Sequence, residues 1–478
     1  MELQLPGADS LPPRRWLVRG GLALAVVVLL VPAAFAAVNP QSLELGPGEV
    51  TAPADEPTYV SVQGFHFAGY GDAKKPARLV AANEDAELKW LFDGSEVGAR
   101  WFYEVDPLEN GNLFVTSTYD GGTVVFEFDP ETETPVWEYD MPGVIDTHNA
   151  NLLADDRILV AHMRAYDGAV SHDRLYIEDT TTGDEEWAWY FYDHFDNATA
   201  GGFDGDWTHV NDVNVLDDEE RYILTSPRDF DQVIVVDRET DEIVMRLGED
   251  GDHATLYEQH NPDYLERDDG TPVIVVADSG NDRVVEYERD CGDADPRLGT
   301  GTPPDECEWE LVWAVDGFNW PRDADRLPNG NTLVTDTLNH RVVEITPEGE
   351  VVWEFYAAWA PYSAERGEKG GNGPTMTDHG VSGSYTVTGG GDEGPAAQYE
   401  VADAIAAVGA DTRFEARMNW FATRWAHHEP WFRPVWMDSW TFLSTALAGV
   451  VLVVWAGGEL VVNRRPIADG IRGRLGGR

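Results

Sequence analysis

The feature that most constrains this chain is an internal repeat between residues 59 and 359. Units open at Tyr103, His148, Asn211, His260 and Arg322, and a degenerate unit occupies residues 59–92. Each unit holds short runs of β-branched and aromatic residues, separated by Asn-Gly, Asp-Gly or Thr-Gly turns. A repeat of roughly 45 to 60 residues with about four strands is typical of a propeller blade. The repeat therefore predicts an all-β fold, an about six-bladed β-propeller over residues 55–360. A pair of β-sandwiches lacks such a long repeat, and the repeats of a β-helix are much shorter.

Apolar segments flank the propeller on both sides. Residues 21–38 are almost wholly apolar and follow Arg14, Arg15 and Arg19, which predicts a signal-anchor or transmembrane segment within residues 1–40. A second apolar run, from 440 to 462, carries Glu459 as its one charged residue and predicts a transmembrane helix over 437–463. Both terminal segments predict the lipid bilayer as a partner and the cell membrane as the location.

Basic residues next to these segments predict the orientation. The N-terminal arginines and the basic tail of residues 464–478 both favour the cytoplasm, so the propeller is expected on the extracellular side. The alternative is a signal peptide cut near residues 34–37, in which case the second segment still anchors the domain in the same orientation. Between propeller and anchor, residues 361–400 are predicted as a Gly-rich linker and 401–436 as a juxtamembrane helical segment.

The charge balance is extreme. The chain has 87 Asp and Glu against 33 Lys and Arg among its 478 residues, a net charge of -54. Such self-repulsion strains a compact fold in dilute buffer, and concentrated salt removes most of it because the Debye length falls to roughly 3 Å at 1 M. We therefore expect a halophilic protein with the acidic composition of a halophile proteome; an acidic surface for a cationic partner is the alternative. Nucleic acid is excluded as a partner because phosphate contacts need a basic patch.

The two cysteines, Cys291 and Cys307, flank a Pro/Gly/Asp-rich insertion. An extracellular domain would allow them to pair, and two free thiols are the alternative. Two cysteines alone do not predict a metal site, and the histidines lack the spacing of the common zinc motifs, so no metal is expected.

Aligned units place several cationic or polar residues at one position. The first residues of five units are Tyr103, His148, Asn211, His260 and Arg322, and His209 lies two residues before Asn211. Equivalent positions at the start of each inner strand converge on the channel of a propeller. Imidazoles and a guanidinium there suit an anionic ligand, although a single histidine in a strand is more often structural.

Arg283 and Arg341 recur later in two units and could reach the same rim. Alternatively, they pair with Asp278 and Asp336 within their own blades.

Three motifs resemble those of the aryl sulfate sulfotransferases. They are Trp207-Thr-His-Val-Asn-Asp-Val, Gln259-His-Asn-Pro-Asp-Tyr-Leu and Asp278-Ser-Gly-Asn-Asp-Arg-Val-Val-Glu-Tyr, within a resemblance that covers residues 59–355. The resemblance implies transfer of a sulfuryl group from a phenolic sulfate ester to a phenol, with no cofactor and no nucleotide donor. It also implies that one channel histidine becomes sulfated. By motif match, His209 with Asn211, His260 and Arg283 form the sulfate-binding set.

One departure concerns the nucleophile. The family supplies it from a later blade, where this chain has Arg322 in Asn319-Trp-Pro-Arg. Either His148 or His260 then takes that role, or the protein binds anions or sugars without catalysis. Two hypotheses therefore remain: a sulfotransferase acting through a channel histidine, with His260, His209 and His148 as catalytic candidates and Asn211, Arg283 and Arg322 as sulfate ligands, or a non-catalytic scaffold of the cell envelope. A quinone-dependent dehydrogenase is disfavoured because its Trp/Gly docking repeats are missing.

Overall fold

The structure is a computed structural model that describes residues 13–39, 44–65, 75–203, 205–367, 373–390 and 397–462. The chain divides into two compact units, one of residues 1–42 with 397–478 and one of residues 43–396. The second unit is a six-bladed β-propeller, so the predicted fold class is confirmed.

The strands follow one another with short turns along the second unit. In chain order they are β1 (Gly46–Val50), β2 (Thr58–Val62), β3 (Arg78–Ala82), β4 (Leu88–Phe92), β5 (Trp101–Pro107), β6 (Leu113–Tyr119), β7 (Gly122–Asp129), β8 (Thr134–Pro142), β9 (Ala150–Leu152), β10 (Arg157–His162), β11 (Tyr166–Asp167), β12 (Val170–Ser171), β13 (Arg174–Asp179), β14 (Glu185–Tyr190), β15 (Val210–Val215), β16 (Tyr222–Pro227), β17 (Gln232–Asp237), β18 (Glu242–Gly248), β19 (His260–Glu266), β20 (Pro272–Asp278), β21 (Arg283–Asp290), β22 (Glu308–Asp316), β23 (Pro321–Arg326), β24 (Thr332–Asp336), β25 (Arg341–Ile345), β26 (Val351–Tyr356), β27 (Pro361–Arg366) and β28 (Gly383–Thr386).

Each blade is a four-stranded antiparallel sheet. From the inner strand outward, the blades are β27-β2-β3-β4 (blade 1), β5-β6-β7-β8 (blade 2), β9-β10-β13-β14 (blade 3), β15-β16-β17-β18 (blade 4), β19-β20-β21-β22 (blade 5) and β23-β24-β25-β26 (blade 6). Strand β1 adds to the outer edge of blade 6, and β28 adds in parallel to blade 5. A small hairpin, β11-β12, interrupts blade 3.

Blade 1 closes the ring by joining the two ends of the propeller sequence. Its inner strand β27 pairs with β2 from Thr58 opposite Arg366 to Val62 opposite Pro361. Residues 361–366, at the start of the predicted linker of residues 361–400, are instead an inner strand. The difference arises because this strand has its partner about 300 residues earlier and therefore shows no local hairpin pattern.

Apolar side chains fill the spaces between neighbouring blades. Buried tryptophans bridge blades by donating their indole N–H to main-chain oxygens, as Trp189 does to Asp241 at 3.0 Å and Trp353 does to Glu84 at 3.1 Å. Burying an aromatic ring with its N–H satisfied adds apolar contact without a desolvation cost. These contacts join neighbouring blades around the channel.

The repeated Asp-x-x-Asn-x-Arg motif is a turn between the second and third strands. In blade 5, the Asp278 carboxylate accepts hydrogen bonds from Asn281 Nδ2 at 2.8 Å and Arg283 Nε at 2.6 Å. Asp282 adopts a left-handed conformation with φ of 56°. Blade 6 repeats the arrangement, since Asp336 accepts from Arg341 Nε at 2.8 Å.

The insertion in blade 5 is closed by a disulfide. Cys291 and Cys307 are bonded, with 4.1 Å between their Cα atoms, so the predicted pairing is confirmed.

The other unit is helical. Its helices are α1 (Arg14–Val38), α3 (Ala397–Gly409), α4 (Glu415–Phe432) and α5 (Ser439–Val462); the short α2 (Met376–His379) belongs to the propeller unit. Helices α1 and α5 are long and apolar enough to cross a membrane, with mean hydropathy of 2.7 and 2.0. They pack on each other. Arg19 of α1 forms a bidentate ion pair with Glu459 of α5, with Nε 2.6 Å from Oε1 and Nη2 2.5 Å from Oε2. The predicted basic tail lies outside the described residues.

Candidate functional site in the propeller channel

Irregular backbone at the start of the inner strands shapes the channel end. Pairing of the inner strand with the second strand shifts register between Val210 and Val213, between His260 and Asp263, and between Pro321 and Asp323. Non-glycine residues there have positive φ angles: 40° at His209, 36° at Asn261 and 54° at Trp320. Bulges of this kind re-aim side chains, and they recur next to active sites.

Four of the side chains at this level form a continuous set of contacts. The ring of His148 stacks on Tyr103 with 4.0 Å between ring centres, and its Nδ1 lies 2.9 Å from the Tyr362 hydroxyl. His209 lies edge-on to His148 at 5.0 Å. All of these residues are buried.

Tyr362 connects this group to the remaining two cationic or basic residues. The ring of His260 is 5.9 Å from that of Tyr362, and the Arg322 guanidinium lies 5.0 Å from the same ring centre. We call Tyr103, His148, His209, His260, Arg322 and Tyr362 the channel cluster. The structure thus brings together His148, His209, His260 and Arg322, residues from four different blades.

His260 has a defined tautomer. Its Nδ1 lies 3.0 Å from the Glu258 carbonyl oxygen, which can only accept, so Nδ1 carries the proton. Ser279 Oγ lies 2.8 Å from the same Nδ1 and accepts a second hydrogen bond from its proton. The Ser279 hydroxyl in turn donates to the carbonyl oxygen of Pro321. Among the described residues, His260 Nε2 has no hydrogen-bond partner although it is buried. The Nε2 lone pair is therefore not engaged by any of these residues.

Burial and two nearby guanidiniums favour the neutral form of His260. Burial lowers the pKa of its imidazole well below the ordinary value, and the Arg322 and Arg228 guanidiniums lower it further. A neutral imidazole is the nucleophilic form. The same two guanidiniums would attract an anion to this position.

His209 is oriented by a carboxylate. Its Nδ1 lies 2.7 Å from Asp206 Oδ2, and Arg164 binds the same carboxylate through two nitrogens at 2.7 and 2.8 Å. Burial lowers the pKa of His209 to about 3, helped by the Arg228 guanidinium. This His–Asp pair has the geometry of an oriented general base, and a bound anion would offset the positive field and raise the His209 pKa.

The guanidiniums of Arg322 and Arg228 each have one side-chain partner. Arg322 donates to Gln63 Oε1 at 2.5 Å, and its Nε has no partner among the described residues. Arg228 pairs with its neighbour Asp229, with Nη2 at 2.7 Å from Oδ1. Both guanidiniums keep donors that are not used by these bonds, as recognition of an oxyanion requires.

The other two predicted ligands lie differently. Asn211 Nδ2 donates to the carbonyl oxygen of Gln259 at 2.8 Å, so it supports the segment that carries His260. Arg283 pairs with Asp278 and donates to the carbonyl oxygens of Ala254 and Thr255, outside the channel cluster. The ion-pair alternative therefore accounts for its position.

Within the described residues, one set of side chains lies close enough together to hold a metal ion. The ligand atoms of Asp206, His209 and Asp229 are all within 4.8 Å of one another. Arg164 and Arg228 already form ion pairs with these two carboxylates. The positive charge that a metal would supply is thus provided by guanidiniums.

Three residues at or beside the channel cluster were not among those predicted from the sequence. Tyr362 opens a Tyr-Ser-Ala-Glu segment that matches the Tyr-Glu-Val-Asp of blade 2, a signal that was available. Asp206 precedes His209 by three residues, and only the fold shows that it bonds to the imidazole. Arg228 follows the second strand of blade 4 rather than opening an inner strand, so the alignment of unit starts could not find it.

Residues 81–287 match the arylsulfotransferase (ASST) family model. The matched segment contains His148, His209, Asn211 and His260, whereas Arg322 and Tyr362 lie beyond it. The match and the propeller fold together support an arylsulfotransferase-like function. No curated protein sequence matched the chain.

Solved structures with a similar backbone trace have low sequence identity to this chain. A Bacteroides caccae protein of unknown function is 14% identical, with a TM-score of 0.40 over 70% of this chain and 100% of that chain. The β-propeller domain of Cps50 (Swd1) from Myceliophteria thermophila is 11% identical, with a TM-score of 0.38 over 68% of this chain and 90% of that chain. A virginiamycin B lyase from Staphylococcus aureus is 8% identical, with 0.36 over 66% and 87%. Similarity at this level carries no functional information.

Proposed function

We propose that this protein is a membrane-anchored aryl sulfate sulfotransferase in which His260 carries the sulfuryl group between a phenolic sulfate ester and a phenol. The observation that carries the proposal is the buried, unpartnered Nε2 of His260. Its Nδ1 is held as a donor, and the Arg322 and Arg228 guanidiniums lie in its electrostatic surroundings.

In the first step, the Nε2 lone pair of His260 attacks the sulfur of the ester. An N–S bond forms, the bond from sulfur to the phenolic oxygen breaks, and its electron pair leaves with the phenolate. Arg322 and Arg228 donate to the sulfuryl oxygens, whose charge they stabilise. The Glu258 carbonyl oxygen accepts a hydrogen bond from Nδ1–H of His260 and so stabilises the positively charged ring that forms.

In the second step, the oxygen of the acceptor phenol attacks the same sulfur. The N–S bond breaks and its electron pair returns to His260 Nε2. His209, oriented by Asp206, takes the phenol proton, and solvent then receives it. His148 and Tyr362 line the aromatic binding site, and Asn211 positions His260 through Gln259. We leave Arg283 out of the sulfate-binding set because its Nε bonds to Asp278 and its Nη2 bonds to the connection between blades 4 and 5.

The test is sulfate transfer from p-nitrophenyl sulfate to phenol by the full-length protein in detergent and about 3 M KCl. We expect nitrophenol release that depends on phenol, and a loss of at least about 10³-fold in His260→Ala. His379→Ala, at an exposed histidine, is the matched control. Acid-labile sulfate on the wild type after donor alone, absent from His260→Ala, would identify the nucleophile. A folded wild type without turnover on several donors and acceptors would instead favour the non-catalytic scaffold.

We further propose that α1 is retained and that both termini are cytoplasmic, with the propeller outside. A carboxylate in a membrane-spanning helix is costly without a partner, and Arg19 supplies the partner for Glu459. The mass of the protein extracted from membranes should include residues 14–38. A mature protein that begins after residue 37 would contradict retention.

The net charge of -54 supports a halophilic protein. The midpoint of thermal unfolding should rise steeply between 0.2 and about 2 M KCl as the surface charge is screened. A midpoint independent of salt would contradict this assignment.

A further inference from the structure

A second ring of oxygen-bearing residues lies next to the channel cluster. It consists of one residue per blade, in the order Ser363, Glu104, Asn149, Asp212, Asn261 and Asp323 around blades 1 to 6. Five of them lie in the inner strand of their blade, and Asn149 directly precedes β9. Carboxylates therefore alternate with neutral groups around the axis. All six residues are at most 7% exposed. We call this set the carboxylate ring.

Contacts within the carboxylate ring reach across the axis. Asn261 Nδ2 of blade 5 donates to Glu104 Oε2 of the opposite blade 2 at 2.7 Å. Asn149 Nδ2 donates to Asp212 Oδ1 of the next blade at 2.6 Å. The side chains of the ring therefore meet in the channel rather than lining a wide pore.

The carboxylate ring lacks basic partners. Over the described residues, Glu104, Asp212 and Asp323 form no ion pair. Burial raises the pKa of Asp212 and of Asp323 to about 7 and that of Glu104 well above its ordinary value, with mutual repulsion adding to the effect. The next inward-facing positions add four more carboxylates that also lack ion pairs in the described part of the chain: Asp106, Asp263, Asp325 and Glu365.

Two amide oxygens supply an independent sign of a ligand. Asn149 Oδ1 and Asn261 Oδ1 have no hydrogen-bond partner among the described residues, although the residues are only 2% and 7% exposed. Each amide nitrogen bonds to a carboxylate of the ring, so each oxygen lies at the ring as well. A buried acceptor without a partner is costly. A cation bound by these oxygens would relieve both this cost and the repulsion between the carboxylates.

We propose that the carboxylate ring binds a hydrated divalent cation, Ca²⁺ or Mg²⁺, next to the channel cluster. Carboxylate and amide oxygens are the ligands these hard ions use, and the absence of nitrogen or sulfur ligands in the ring disfavours zinc or copper. The carboxylate oxygens of the ring do not form a group within 4.8 Å of one another. The ion is therefore held partly through water, as Mg²⁺ commonly is. It would balance the charge of three inner strands without touching the sulfate site.

The test uses the full-length protein in detergent, stripped with EDTA and dialysed into 2 M KCl. Calorimetric titration with CaCl₂, and separately with MgCl₂, should give one stoichiometric site for at least one of the two ions. At about 100-fold excess over Kd, the ion should raise the unfolding midpoint by roughly 3–5 °C.

Two isosteric variants separate this site from the acidic surface. Asp323→Asn and Asp212→Asn should each weaken binding at least about tenfold, because each removes a charge from the ring. Each should also raise the midpoint of the metal-free protein, because less like charge is buried. Asp85→Asn removes one charge from an exposed position and should bind like the wild type. A wild type with no stoichiometric site for either ion, or ring variants that bind with unchanged affinity, would overturn the proposal.

Discussion

A buried ion pair between blades 5 and 6 offers a sharp test of how this propeller is held together. Arg326, at the end of β23, binds Glu286 of β21, with 2.8 Å between Nη2 and Oε2. Both side chains are 0% exposed. The second carboxylate oxygen of Glu286 accepts from the main-chain N–H of Met376 at 2.8 Å. The perturbation is Glu286→Gln, which keeps the volume and this acceptor but removes the charge.

The expected cost follows from the burial. Removing one partner leaves a guanidinium in the protein interior without its counter-charge, and such changes cost about 3–5 kcal/mol. With about 2.1 cal/mol/K per residue for a propeller of roughly 300 residues, the entropy of unfolding is about 0.6 kcal/mol/K. The unfolding midpoint should therefore fall by about 5–8 °C.

The assay is thermal unfolding of the full chain in detergent, followed by tryptophan fluorescence at 0.5 and 3 M KCl. Because water and ions do not reach the pair, the shift should be the same at both salt concentrations. The matched control is Asp120→Asn, which breaks an exposed pair with Arg100 and should cost at most about 1 kcal/mol. A Glu286→Gln shift no larger than that of the control, or one that disappears in 3 M salt, would refute the reasoning.

Three further predictions concern the site, the channel and the disulfide. Ser279→Ala removes one of two acceptors for the Nδ1 proton of His260, so kcat/KM for sulfate transfer should fall about fivefold, equivalent to about 1 kcal/mol; a loss as large as that of His260→Ala would contradict the role of the Glu258 carbonyl. Burial raises the pKa of Asp212 to about 7, so this group stabilises the metal-free fold at low pH and loses that contribution as pH rises through 7. The unfolding midpoint should then fall less between pH 6 and 8 in Asp212→Asn than in the wild type, and identical slopes would argue against it. Reduction of Cys291–Cys307 should lower stability by up to about 3 kcal/mol, measured as a midpoint shift with a phosphine reductant that the double Cys→Ser variant does not show.

Much of the fold was predictable because its signals are local. Strand periodicity, turn residues and the spacing of the units depend on neighbours in sequence, so the blades were evident. The lengths of the two apolar helices are likewise a local property. Convergence of His148 and His260 followed from their equivalent positions in successive units, and His209 lies two residues before the equivalent position of its own unit.

Tertiary structure alone decided how distant residues meet. The closing strand β27 needs a partner about 300 residues away, and the role of Tyr362 depends on that closure. Arg283 and Arg322 look equally suitable in the sequence, but one is bound to a carboxylate in its own turn and the other lies in the channel. Pairing of Asn261 with Glu104 across the axis likewise follows from ring closure.

The sequence thus determined the repeating strands, because each depends on short-range backbone preferences. The chemistry of the channel depends on which side chains the closed ring brings within hydrogen-bonding distance, and that is a long-range property.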